Sequence, residues 1–288
     1  MELSAKNVQY VSSRQNAGVI LASSLGERKY REKERKFRFD GIKLFREAVA
    51  CGIEIFRVLV CEKNAAELVP EVEALCPGLD IFVLSESAFS KVSEEKSPEG
   101  IITVAKYIDK RHKIVTIEES RNDNSGEISA LAGLIGTEKR VIALESVRDP
   151  GNVGTVIRTA AAFGIDTVVL SSDCADVYNP RTVRAARGAL FSRELIVVPD
   201  LPGALRFLSA HGRRTLAAAL TPEAKPLGEI PLCPSDVVVI GNEGHGLSAG
   251  AIAACDETVI LPMRRGPGIE SLNAAAAATV FLWELSKA

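Results

Sequence analysis

The chain has 288 residues, 47% hydrophobic and 25% charged, which supports a sizeable core, suggests two domains and excludes global disorder. Lys and Arg total 35 against 37 Asp and Glu, so a net charge of −2 gives no global sign of a nucleic-acid binder. No apolar run reaches the roughly 20 residues of a membrane span, Met1-Glu2-Leu3-Ser4 is no secretion signal, and six scattered cysteines lack any Cys-x-x-Cys pair. A cytoplasmic protein with reduced thiols is expected. His112, His211 and His245 show no ligand spacing, so no metal is expected.

Local charge is less even. From Arg28 to Arg38 the sequence carries seven cations against Glu32 and Glu34, with Tyr30 and Phe37 interleaved. Arg28, Lys29, Arg31, Lys36 and Arg38 are candidates for RNA phosphate contact, with the aromatics available for base stacking. The alternative is a solvated surface held by internal ion pairs. Beyond it, Ile42, Phe45, Ala48 and Val49 recur at helical spacing and Gly52 supplies a stop. Strands are expected at 56–60, 80–84 and 101–105, with a helix over 64–76 between the first two. This alternation describes a small α/β domain over residues 1–107. Residues 108–128 are charged and turn-rich and read as a linker, with a short strand at 114–117.

The second domain, 129–288, opens with the apolar strand 140–145 and the turn Asp149-Pro150-Gly151-Asn152. Asn152 reads as the cap of a helix whose apolar face is Val153, Val156, Ile157, Ala160 and Ala161. Arg158 falls off that stripe, flanking the strand's carboxyl end, where open α/β sheets bind ligands. Strands follow at 166–170, 195–198, 215–220, 236–241 and 259–261, with a helix carrying Arg181, Arg184 and Arg187 between the first two. The strand at 236–241 delivers Gly241-Asn242-Glu243-Gly244 to the same sheet edge. The last delivers Leu261-Pro262-Met263 and then Ser271-Leu272-Asn273, which opens an Ala-rich helix. Neither G-x-G-x-x-G after the first strand nor G-K-[ST] is present, which weakens a generic nucleotide-binding reading.

Three motifs in order, each at a strand end, are specific. Asn152-x-Gly154-x-x-x-Arg158, Gly241-Asn242-Glu243-Gly244 and Leu261-Pro262-Met263 through Ser271-Leu272-Asn273 resemble those of the SpoU (TrmH) family of RNA ribose 2′-O-methyltransferases in the SPOUT superfamily. The resemblance covers essentially the whole chain, because the basic stretch, Phe39-x-Gly41 and Pro98-x-Gly100 resemble the family's N-terminal substrate-binding domain. It implies an α/β fold with a C-terminal trefoil-knotted domain, a smaller N-terminal RNA-binding domain, S-adenosylmethionine as cofactor, and a homodimer whose sites are completed across the interface. The expected substrate is structured RNA, with large-subunit ribosomal RNA preferred over transfer RNA; a module that binds RNA without turnover is the non-enzymatic alternative.

The resemblance also implies roles. Arg158 would stand nearest the chemistry, in the family's role of helping to remove the 2′-hydroxyl proton; because a guanidinium rarely gives up its own proton, binding phosphate and stabilising alkoxide charge is the preferred reading, whichever group takes the proton. Glu243 would orient Arg158 or substrate, and Ser271 and Asn273 would hydrogen-bond the ribose, the loop or a partner's residues, with capping of the last helix as the alternative; Asn152 carries the same ambiguity. Gly241, Leu261 and Leu272 match cofactor-contacting positions, and Leu220 is added by its place at a neighbouring strand end. Arg264 to Glu270 is longer than the family's usual spacing, which bears on the loop's contacts with cofactor and RNA.

Overall fold

The computed structural model describes residues 7–95, 97–108, 114–116, 131–133, 139–264 and 271–288. Two compact units emerge. One comprises residues 1–108 together with 176–191; the other comprises 109–175 and 192–288.

The first unit runs β1 (Val8–Val11), α1 (Ala17–Ser24), α2 (Arg28–Glu34), β2 (Lys36–Asp40), α3 (Ile42–Ala50), β3 (Ile55–Cys61), α4 (Ala65–Leu75), β4 (Ile81–Leu84), α5 (Glu86–Val92) and β5 (Ile101–Lys106). Its sheet has the order β1-β4-β3-β5-β2, with β5 antiparallel to β3 and β2 and the other pairs parallel. Helices cover both faces, which is why β4, Ile-Phe-Val-Leu, is apolar at every position. Val19, Leu25, Phe89 and Val92 pack on one face. Phe45, Leu68, Val69 and Val72 pack on the other.

The basic stretch folds as α2 and β2, and its cations separate into two kinds. Arg31 is 1% exposed. Its guanidinium donates to the carbonyls of Leu25 and Gly26 and, through Nε and Nη2, to Asp176. Arg38, 2% exposed, donates to the Val92 carbonyl and pairs with Glu94. Both guanidinium groups are buried and paired inside the unit, so neither is exposed to a phosphate as the sequence reading expected. Arg28 and Lys29 are exposed, paired with Glu32 and Glu27. Lys36 lies 4.4 Å from the Phe56 ring and pairs with Glu34. Phe37 and Phe39 alternate with Arg38 along β2, so their rings face the opposite way, onto Tyr178 and Phe191.

The second unit contains β6 (Ile114–Thr116), β7 (Val141–Leu144), α6 (Pro150–Ala162) and β8 (Thr167–Ser171). The chain then forms α7 (Pro180–Ala186) and α8 (Ala189–Ser192), whose residues up to 191 group with the first unit. It resumes with β9 (Glu194–Val198), α9 (Leu201–Ala210), β10 (Thr215–Ala218), β11 (Lys225–Pro226), β12 (Val237–Ile240), α10 (Ala249–Ala254), β13 (Glu257–Ile260) and α11 (Ala274–Lys287). The sheet order is β11-β13-β10-β12-β7-β8-β9-β6, and every pair is parallel.

Apolar side chains of α9 and α10, including Leu201, Leu205, Leu208 and Ala251, bury one face of this sheet. Val153, Val156 and Ile157 of α6 and Phe281, Leu282 and Leu285 of α11 are also buried. Burying each such side chain contributes about 1.5–3 kcal/mol against leaving it in water. From β7 the chain steps to β8 on one flank, and β12 later returns to the other. A ligand crevice belongs at such a switch, outside the strands' carboxyl ends.

No helix among the described residues is long and apolar enough to cross a membrane. Among those residues there is also no cluster of three or more His, Cys, Asp or Glu side chains able to hold a metal. The loop from Arg264 to Glu270 lies outside the described residues beyond Arg264 itself, as does most of the 108–128 linker.

Candidate active site

The carboxyl ends of β10, β12 and β13 open together onto a cavity of about 420 Å³. Its walls are Ala218 to Leu220 after β10, Ile240 to Leu247 after β12, Val259 to Leu261 with Met263 after β13, and Ser271, Leu272, Ala274, Ala277 and Phe281. All four residues expected to touch a cofactor, Leu220, Gly241, Leu261 and Leu272, line it. Leu220 and Leu272 are exposed at 55% and 40%, and both line the cavity.

The loop after β12 is folded back on itself. Asn242 and Gly246 exchange two backbone hydrogen bonds, and Asn242 Oδ1 accepts from Gly244 N. Gly241 has no room for a side chain: a Cβ there would lie 2.4 Å from the backbone of Gly246 and Leu247. Gly246, at φ 71°, needs the left-handed region that glycine enters freely. These two glycines let the loop close tightly enough to present backbone groups to the cavity.

Asp149, not Asn152, caps α6. Its carboxylate accepts from Asn152 N at 2.8 Å, and Pro150 at the first position fixes the helix start. The Asn152 side chain is thereby released. It donates to Glu243 Oε1 at 2.6 Å and accepts from Asn273 Nδ2 at 3.0 Å. Asn273 Oδ1 meanwhile accepts from Ala275 and Ala276 N as the cap of α11. One chain of side-chain hydrogen bonds, Glu243–Asn152–Asn273, therefore joins all three motifs. Ser271 is exposed and lines the cavity, and it is not the cap.

Arg158 stands apart. It lies six residues beyond Asn152, about 9 Å further along the helix axis. The side chain is exposed, does not line the cavity, and forms no ion pair or side-chain hydrogen bond with a described residue.

Residues 139–283 match the model of the SpoU rRNA methylase family, and residues 16–103 match that of an MRM3-like substrate binding domain. The chain belongs to the SpoU rRNA methylase family. Among SpoU relatives, it is 31% identical over 278 residues to the 23S rRNA (guanosine(2553)-2′-O)-methyltransferase RlmP of Bacillus subtilis, covering 96% of this chain and 99% of that one. A solved RNA 2′-O ribose methyltransferase shares 26% identity with a TM-score of 0.75, covering 97% of this chain and 98% of its own. An AdoMet-bound rRNA methyltransferase from Sinorhizobium meliloti, at 24% identity and a TM-score of 0.79, covers 98% of each chain and shares the fold.

The cavity of this SpoU chain fits S-adenosylmethionine chemically. Its volume lies within the range of small-molecule sites, and its leucines offer apolar surface for an adenine. No Lys or Arg is among the described lining residues, while Glu243 supplies a negative charge suited to a sulfonium. Two residues to which the motifs assigned no role also hold the loop: Asn242, whose Nδ2 donates to the Ser146 carbonyl at 2.8 Å, and Glu145, which accepts from Ser248. A polar residue closing a buried strand, Glu145, was the available signal.

Proposed function

We propose that this protein transfers a methyl group from S-adenosylmethionine to a ribose 2′-hydroxyl of large-subunit ribosomal RNA. The Glu243–Asn152–Asn273 chain at the cavity carries the reading, and the RlmP relative supports the substrate class. In the reaction the ribose oxygen bonds to the methyl carbon as the carbon–sulfur bond breaks, and the hydroxyl proton must leave. S-adenosylmethionine supplies the electrophilic methyl on its sulfonium.

The chain's own residues supply alignment, which is worth much of such a barrier. Glu243 is the one carboxylate among the described lining residues. Fixed by Asn152, it orients the substrate and is the carboxylate we assign to take the 2′-hydroxyl proton. Ser271, at the rim, donates to the ribose. Leu220, Leu261 and Leu272 hold the adenine while the Gly241 loop provides backbone groups.

Arg158 does not line the cavity of its own chain, and the proposal includes a homodimer that would complete the site. Trp283 and Val280 of α11 are 50% and 39% exposed, and Trp283 packs on Phe163 just past α6. A second copy covering them would bring the partner's α6 alongside and supply Arg158 as phosphate ligand and charge stabiliser. A trefoil knot in the C-terminal chain, as the family implies, is part of the same proposal. RNA recognition falls to residues 1–107, with Arg28, Lys29 and Lys36 as phosphate contacts, joined through 108–128 to the methyltransferase domain 129–288. Such a substrate places the work in the cytoplasm.

Purified protein incubated with labelled S-adenosylmethionine and ribosomal RNA from a deletion strain should yield one alkali-resistant linkage. Absence of transfer to any RNA would sink the proposal, and transfer to a base would redirect it.

A further inference from the structure

We infer that Glu145 is a positioning residue for the cofactor: it clasps the two ends of the loop that floors the cavity and sets that loop before the cofactor arrives. The inference rests on reading the cavity as the S-adenosylmethionine site. Glu145 follows β7 directly and is 7% exposed. Its backbone N donates to the carbonyl of Ile240, the residue that enters the loop. Its carboxylate takes both donors of Ser248, the residue that leaves the loop, with Oε2 accepting from the backbone N at 2.7 Å and Oε1 from Oγ at 2.7 Å. The neighbouring Ser146 carbonyl holds Asn242 within the loop.

A buried carboxylate is costly unless hydrogen-bonded. Among the described residues no Lys, Arg or His forms an ion pair with Glu145. Ser248 is its side-chain partner, and Ser248 Oγ in turn accepts from Ala251 N at 3.0 Å. Each carboxylate oxygen of Glu145 and the Ser248 hydroxyl has a partner in this small network, and its effect is to fix the span from Gly241 to Leu247. Backbone order established before binding need not be established at binding, so removing the clasp should appear in cofactor affinity. Asn152 reaches the same loop through Glu243, so the chain that leaves β7 holds the loop at its entry, its middle and its exit.

The test is calorimetric titration of S-adenosylmethionine, well below the unfolding midpoint, into the full chain and its Glu145→Gln, Glu145→Ala and Ser248→Ala variants. Expected are dissociation constants raised about tenfold for Glu145→Gln, more for Glu145→Ala and about threefold for Ser248→Ala, roughly 1.4 kcal/mol per decade. The RNA KM should stay within twofold. Adding Ser248→Ala to Glu145→Ala should raise the dissociation constant no further, because the partner is already gone, while the lost cap on Ala251 N lowers the unfolding midpoint.

A lowered unfolding midpoint with unchanged cofactor affinity in folded Glu145→Gln would overturn the inference and leave the cavity assignment standing. Failure of the unsubstituted chain to bind S-adenosylmethionine would overturn both. If neither Glu145 variant folds, Ser248→Ala decides, and unchanged affinity there overturns the role.

Discussion

Asn152 and Glu243, 91 residues apart in the chain, meet at 2.6 Å between amide nitrogen and carboxylate oxygen. The contact exists because Asp149 and Pro150 take over the start of α6, leaving the Asn152 side chain nothing to cap. A residue in the first helical turn thus becomes the junction of three strand-end loops.

That junction predicts an order among variants. Asn152→Ala removes the link and should lower kcat by about tenfold to a hundredfold through lost alignment. Asn152→Asp should be worse, since it sets a second carboxylate against Glu243 where an amide donated. Steady-state kinetics with both substrates varied would check the order; equal damage from the two would argue that only bulk matters.

For Arg158, replacement by Ala should cost about 10²–10³ in kcat with cofactor affinity unchanged, by analogy with removing one transition-state donor. Mixing inactive Arg158→Ala chains with inactive Glu243→Ala chains should restore activity if sites are completed across a dimer. Mixed dimers would then hold one site with both residues intact. Mixtures as dead as their components would contradict the shared site.

The two kinds of cation in the basic stretch should separate in measurement. Arg31→Ala leaves Asp176 partly buried without its counter-charge and should lower unfolding free energy by about 3–5 kcal/mol. Arg28→Ala and Lys29→Ala should leave thermal stability nearly unchanged, because exposed pairs contribute little. Those two should instead weaken RNA binding and flatten its salt dependence, read from filter binding at several salt concentrations.

Asp40 gives a pH prediction. Burial raises its pKa to about 6, against the pull of Arg38 and Arg184. The folded state therefore holds that proton more tightly than the unfolded state, and Asp40's contribution to stability falls as pH rises from about 4 to 6. Asp40→Asn removes the titration. Its stability relative to the native chain should rise across that window and level off above it, as urea unfolding from pH 4 to 8 would show. A difference independent of pH would contradict the assignment.

Much of the sheet architecture was legible because parallel strands buried on both faces are unbroken apolar runs, such as Val237–Ile240. The basic helix α2 was not, since Arg-Lys-Tyr-Arg-Glu-Lys-Glu carries no apolar stripe. Nor could the burial of Arg31 be read, because its partner Asp176 lies 145 residues away. The cavity-lining positions Gly241, Leu261 and Leu272 were readable from the strand-end motifs, whereas the capping of α6 turned on competition between Asp149 and Asn152 three residues apart. Local propensity favours either residue, and only the proline's fixed φ breaks the tie.

The grouping of residues 176–191 with the first unit has a practical meaning for anyone exchanging parts between relatives. A transplant that ends at residue 108 carries Arg31, Phe37 and Phe39 but leaves behind Asp176, Tyr178 and Phe191, on which they close. The first unit is discontinuous in sequence, so its inheritance is tied to a stretch internal to the second. Chimeras that move both pieces together should fold; those that move one should not.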